Sequence, residues 1–192
     1  MSHLKSFVLL AVLTANVSLS TNGYHPSSTR LLQENLLLSN PHIVRIDLAP
    51  ITSKTKVDDP SVEFGENIEP YAKGQKIQIQ LVVTNNSLEK LNAPVLDTYY
   101  QNRPELWRNG LRVPYREEVE KLILAKDANP EFLRFDNVPL LPNQSTKLEI
   151  LDLTHWYDPL EPGSYRLMNR HRFGEGGKWT ESSMVLFEVK PK

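Results

Sequence analysis

Cysteine is missing altogether from the 192 residues, and its absence removes several kinds of chemistry at once. No disulfide can staple the fold, no thiolate can bind zinc or attack a substrate, and no residue of this sequence can accept a lipoprotein anchor. Stability must then rest on core packing, for which 40% hydrophobic and 23% charged residues is a workable composition. A charge excess is lacking too. Lysine and arginine number 22 against 23 acids, a net charge of −1, so there is no basic footprint for nucleic acid and no polybasic membrane anchor. No segment reaches the length of a membrane span. Glycine is modest at 8 while proline reaches 14, which suits short strands joined by many turns.

What is present begins with a secretory grammar. Lys5 gives a short positive start, an apolar run extends from Phe7 to Ala15, and Ser18 and Ser20 stand at −3 and −1 to a cut after Ser20. The pattern predicts a signal peptide over residues 1–20 and an exported product, periplasmic or secreted. Residues 21–42 are Ser/Thr/Asn-rich without periodicity and read as a flexible lead-in, apart from "LLQENLLL", which is too brief to stand alone as a helix. A folded domain is expected over 43–192.

That domain reads as strands. "IVRIDLAP" alternates weakly and ends in proline, as edge strands do. "QKIQIQLVVTN" places Ile77, Ile79, Leu81 and Val83 on one face, the period of two that a strand needs and a helix would scatter. Asn109-Gly110 between apolar pairs predicts a tight hairpin. Tyr115, Val119, Leu122 and Ile123 then fall at helical spacing, with a Glu117–Lys121 pair and an Asn129-Pro130 stop, so one amphipathic helix is expected near 115–127. "STKLEILDL", "SYRLMNRHRF" and "SSMVLFEVK" complete the set, the last two joined by the Gly-rich "GEGGKWTE". The order predicts a mostly β fold, an antiparallel sandwich of about seven strands with one inserted helix.

The segment "LEPGSYRLMNRHRF" is the busiest in the chain. "LEPGSY" has the form of a turn that delivers a tyrosine to a strand, and Leu167 follows two residues later, where antibody domains place a core cysteine. With "KGQKIQIQLVVTNNS" and "LLPNQSTKLEI", this makes the chain resemble bacterial secreted immunoglobulin-like or fibronectin type III-like β-sandwiches. "VVTNNS" and "PNQSTKLEI" are also similar to the intracellular proteinase inhibitor family. The resemblance implies that the Tyr165 hydroxyl bonds back to main chain a few residues upstream. It also implies a binding rather than a catalytic role.

Parity sorts the rest of that segment. If Tyr165 and Leu167 face the core, so do Asn169, His171 and Phe173, while Arg166, Met168, Arg170 and Arg172 point outward. Alternate residues lie about 6.6–6.8 Å apart, so Arg166, Arg170 and Arg172 would form a stripe able to meet a carboxylate-rich partner, unless acids such as Glu149 and Glu188 neutralise it. Trp179, with Lys178 beside it on the expected Gly-rich tip, is the candidate anchor for a protein partner. His155 has Asp152 and Asp158 three residues to either side, but nearby sequence completes no metal shell, and His171 reads as a structural histidine. "GEGGKWT" lacks the earlier glycine of a phosphate loop, and no nucleophile elbow or zinc-binding His pair occurs. Trp156-Tyr157 and Trp179 should sit at opposite ends of the sandwich, because an eight-residue strand spans about 27 Å. The expectation is a non-catalytic module with a protein partner and no cofactor, metal or nucleic acid. A proteinase inhibitor acting through "YYQNRPELW" or "GEGGKWTE", or a carbohydrate-binding module, are the alternatives.

Overall fold

The computed structural model describes residues 38, 40, 42–51, 70–130 and 136–192. The expected signal peptide and most of the lead-in therefore lie outside the described residues. Leu38, from "LLQENLLL", is fully buried in the core.

The protein is mostly β. Strands β1 (Val44–Ile51), β3 (Gln78–Asn85) and β8 (Gln144–Asp152) form an antiparallel sheet with β3 in the middle. A second sheet runs β2 (Tyr71–Ala72), β11 (Val185–Lys190), β9 (Gly163–Arg172), β5 (Asn102–Arg108), β6 (Leu111–Arg112), and β10 (Trp179–Glu181) also pairs with β9. Within it, β2 lies parallel to β11 while the other pairs are antiparallel. Strands β4 (Leu91–Val95) and β7 (Asp136–Leu140) make a separate antiparallel pair. The described strands thus number eleven rather than about seven. The surplus comes from edge pieces of two or three residues and from the β4–β7 pair, all too short to show a periodicity.

Both main sheets feed one core. Ile46, Leu48, Ile79, Leu81 and Val83 from the first meet Leu106, Tyr165, Leu167, Phe187 and Val189 from the second. The strict alternation of β3 accounts for its half of this packing, since Ile77, Ile79, Leu81 and Val83 are all buried. Asn109 and Gly110 both adopt positive φ, as the expected two-residue turn requires, and they set Arg108 opposite Leu111.

The inserted helix is also present. A short α1 (Thr98–Gln101) precedes β5, and α2 covers Glu117–Ala128 with its C-cap at Asn129. Lys121 and Glu117 pair at 2.7 Å or less, at 2.6 Å. Its buried face is narrower than the sequence suggests, however: Val119 and Ile123 are buried, whereas Leu122 is on the solvent side with Leu124. Aromatic side chains from outside the helix, Tyr115 and Tyr157, meet beside it instead and both donate to the Pro104 carbonyl.

Candidate interaction surface

Strand β9 follows the expected parity. Tyr165, Leu167, Asn169, His171 and Phe173 are buried, and the residues between them face out. The Tyr165 hydroxyl donates to the Glu161 carbonyl at 2.6 Å, which ties the start of β9 to the preceding turn. Across the outward side, register sets Arg166 opposite Trp107 and Leu186, Met168 opposite Glu105, and Arg170 opposite Arg103 and Glu181. The two central strands, β5 and β9, therefore present arginine, tryptophan, methionine and Glu105 outward and no lysine.

The arginines are not a free cationic stripe. Trp179 pairs with Arg172 in register, and the guanidinium carbons of Arg103, Arg170 and Arg172 lie 4.9, 5.8 and 4.6 Å from its ring centroid. Arg172 also lies 3.5 Å over the Tyr100 ring, and Arg166 lies 5.5 Å over Trp107. Cations stack on these rings because the π face is the negative pole of the aromatic quadrupole. Asp127, from the last turn of α2, bridges Arg103 and Arg172, and Glu105 takes Arg170 at 2.7 Å. Arg172 is consequently well covered, whereas Arg166 is exposed and Arg170 partly so.

Three expectations need correction here. Glu149 does not neutralise the stripe: it pairs with Leu81 in register and so points inward from β8. A bulge between Leu81 and Val82 causes this, since the extra residue on β8 turns Glu149 toward the inner side. The acids that do the neutralising are Glu105 and Asp127. Trp179, in turn, is not on a loop tip. It is the first residue of β10, half-buried under the arginines, and the turn is confined to 173–178 with Lys178 exposed at its end. Gly177 is required there because a Cβ would come within 2.1 Å of the Phe173 carbonyl oxygen.

The third correction concerns the aromatics. Trp156 and Tyr157 are buried, so neither offers a ring face to a ligand. Trp156 packs on Tyr99 at 4.8 Å, the next residue, Tyr100, carries Arg172, and Arg172 carries Trp179. The chain after β8 enters a 3-10 turn (Leu153–His155), and the Tyr157 hydroxyl beyond it donates to the Pro104 carbonyl of β5. "YYQNRPELW" likewise is α1 running into a central strand, not a protruding loop.

Behind the outward face lies a belt of buried polar groups drawn from β5, β8 and β9. Asn102 Oδ1 accepts from Asn169 Nδ2 at 2.7 Å and sits 2.8 Å from His171 Nδ1; Asn102 Nδ2 donates to Glu149 at 2.5 Å. An oxygen can only accept, so His171 carries its proton on Nδ1, and its buried Nε2 is without a hydrogen-bond partner among the described residues. Complete burial lowers the imidazole from 6.5 to about 3, and burial raises the Glu149 carboxyl above its ordinary value despite hydrogen bonds from Asn102 and Thr98. The only hint in the sequence was that Asn169 and His171 share the core parity.

His155 remains exposed and lies 3.8 Å from Asp152. Asp152 is already committed: it accepts from Thr154, pairs with Lys76 at 2.7 Å, and these partners outweigh its burial to hold its carboxyl below the usual range. Among the described residues no group of three or more His, Asp or Glu is placed to hold a metal, and no helix is long and apolar enough to cross a membrane. No known family model matches the chain, and no curated protein matches it.

Proposed function

We propose that this chain is a non-catalytic, exported interaction module of immunoglobulin-like type, which docks a protein partner on the outward face of the second sheet. The observation that carries the reading is the makeup of that face. Arg166, Arg170, Trp107 and Trp179 are stacked there, with Met184 and Leu186 more than half exposed alongside. Arginine, tryptophan and methionine are the residues enriched in protein interfaces, and lysine is depleted. Stacking on the rings fixes the guanidinium groups before binding, so less side-chain entropy is lost when a partner carboxylate arrives. Lys178 adds a cation at the rim.

The immunoglobulin-like part of the reading is supported by strand order and by the tyrosine corner. β9 lies between β5 and β11, β3 lies between β1 and β8, and a short β2 runs parallel to the last strand. Export is supported by the signal grammar of residues 1–20.

The test is affinity capture from an extract of the source, using the mature chain from Thr21. Three baits are compared: wild type, Arg166→Glu/Leu186→Ser, and Trp179→Ala. The double substitution touches exposed side chains and should leave folding intact. A protein partner held by wild type and lost with the double variant is the expected result. A folded wild type that captures nothing reproducible, or a double variant that captures the same proteins equally well, would overturn the proposal.

A further inference from the structure

A cleft of about 520 Å3 opens at the β5–β6 hairpin end, between the hairpin and the segment 158–161. Its volume is within the usual range for ligand clefts, roughly 300–1,000 Å3. Leu111, Val113, Pro114, Pro159 and Leu160 give it apolar walls. Its charged groups are unevenly satisfied. Glu161 pairs with Lys73 at 2.7 Å, which, with a smaller pull from Arg108, holds its carboxyl below the ordinary range. Asp158 is 3.9 Å from Arg116. Arg112 reaches Glu105 only at 3.7 Å, because Arg170 holds that carboxylate at 2.7 Å.

Arg108 has no carboxylate within ion-pair distance among the described residues. Its Nη2 donates to the Pro162 carbonyl at 2.7 Å, and its buried Nε has no hydrogen-bond partner among the described residues. Gly163 makes the placement possible: a Cβ there would lie 2.9 Å from Arg108 Nε, so a larger residue would push the guanidinium away. A cation fixed in apolar surroundings attracts an anion more strongly than it would in water.

We infer that this cleft binds a single carboxylate carrying an apolar tail, with Arg108 as the anion site and the Leu111–Leu160 walls as the tail site. Two sources share that chemistry, the C-terminus of a peptide ending in a hydrophobic residue and a free fatty acid. The site is separate from the outward sheet face and does not depend on the proposal made for it.

The test is a chemical-shift titration of the 15N-labelled protein with four probes: hexanoate, hexanamide, N-acetyl-Ala-Ala-Leu and its C-terminal amide. At about 10 mM a ligand with a Kd near 1 mM is close to saturating. Saturable shifts of the Asn109, Leu111 and Leu160 amides are expected with at least one of the acids. The matching amide should bind at least tenfold more weakly, and Arg108→Met should abolish the shifts. Which acid binds identifies the source. Equal shifts from acid and amide, shifts that survive Arg108→Met, or no saturable shift from either acid would overturn the inference. The acid–amide comparison is made on the wild type and stands even if Arg108→Met fails to fold.

Discussion

At the scale of single residues, His171 is the most exacting position. It is buried in the second sheet, hydrogen-bonded through Nδ1 to Asn102, with the Glu149 carboxylate 3.8 Å from the same nitrogen. The folded state holds it neutral down to about 3, whereas an unfolded chain takes up a proton near 6.5. Below 6.5 the unfolded state therefore binds a proton that the folded state refuses, and stability from this group drains away as pH falls toward 3. Glu149 acts with the opposite sign. Its raised carboxyl gives stability that is complete below its ordinary 4.5 and fades as pH rises through the folded value. Comparing wild type with His171→Gln by urea unfolding separates the two, since Gln can still donate to Asn102. The stability difference should shift against wild type by up to about 1.4 kcal/mol per pH unit between pH 6 and pH 4. A difference independent of pH would mean that the imidazole is not held neutral.

At the scale of elements, the most informative junction is where α2 meets the second sheet. An acid in the last turn of a helix opposes the macrodipole, so Asp127 is a poor choice for the helix taken alone. Its position is explained by what it bridges: Arg103, which is nearly buried and also donates to the carbonyls of Tyr99 and Asn102 at 2.6 Å, and Arg172, which is stacked on Tyr100 and Trp179. Asp127→Asn should cost about 1–2 kcal/mol, the lower end reflecting the part of the carboxylate that solvent reaches. It should also change the Trp179 emission, because the guanidinium groups over the ring lose their tether. An unchanged unfolding midpoint and spectrum would show that the helix is docked by Val119 and Ile123 alone. The helix itself was legible in "YREEVEKLILAKDANP" through its pairing and its stop. Which side it buries was not, because Leu122 and Leu124 are as apolar as the residues that do pack.

At the scale of the whole molecule, two sheets share one hydrophobic core with side chains from β1, β3, β5, β9 and β11 interleaved. No disulfide subdivides it. Unfolding should accordingly be a single cooperative transition, with coincident curves from far-ultraviolet circular dichroism and tryptophan fluorescence. Separate transitions would show that the Trp179 region opens independently of the sheets. The same two-layer arrangement leaves two distinct surfaces: an arginine–tryptophan sheet face, and a hairpin-end cleft in which Arg108 has no carboxylate within ion-pair distance among the described residues.

The sequence by itself determined the mostly β character, the central strand with Ile77 to Val83 inward, the Asn109-Gly110 hairpin, the tyrosine corner and the sidedness of β9. All of these follow from local periodicity or from backbone conformations that few residues adopt. Only the tertiary structure decided the rest. The bulge opposite Leu81 turned Glu149 from the solvent side to the core side. The chain after β8 brought Trp156 onto Tyr99 and the Tyr157 hydroxyl onto the Pro104 carbonyl. Pairing with β9 drew Trp179 out of its turn and under three arginines. Each of these depends on which strands become neighbours, and the free energy that selects neighbours comes from packing between residues far apart in the chain.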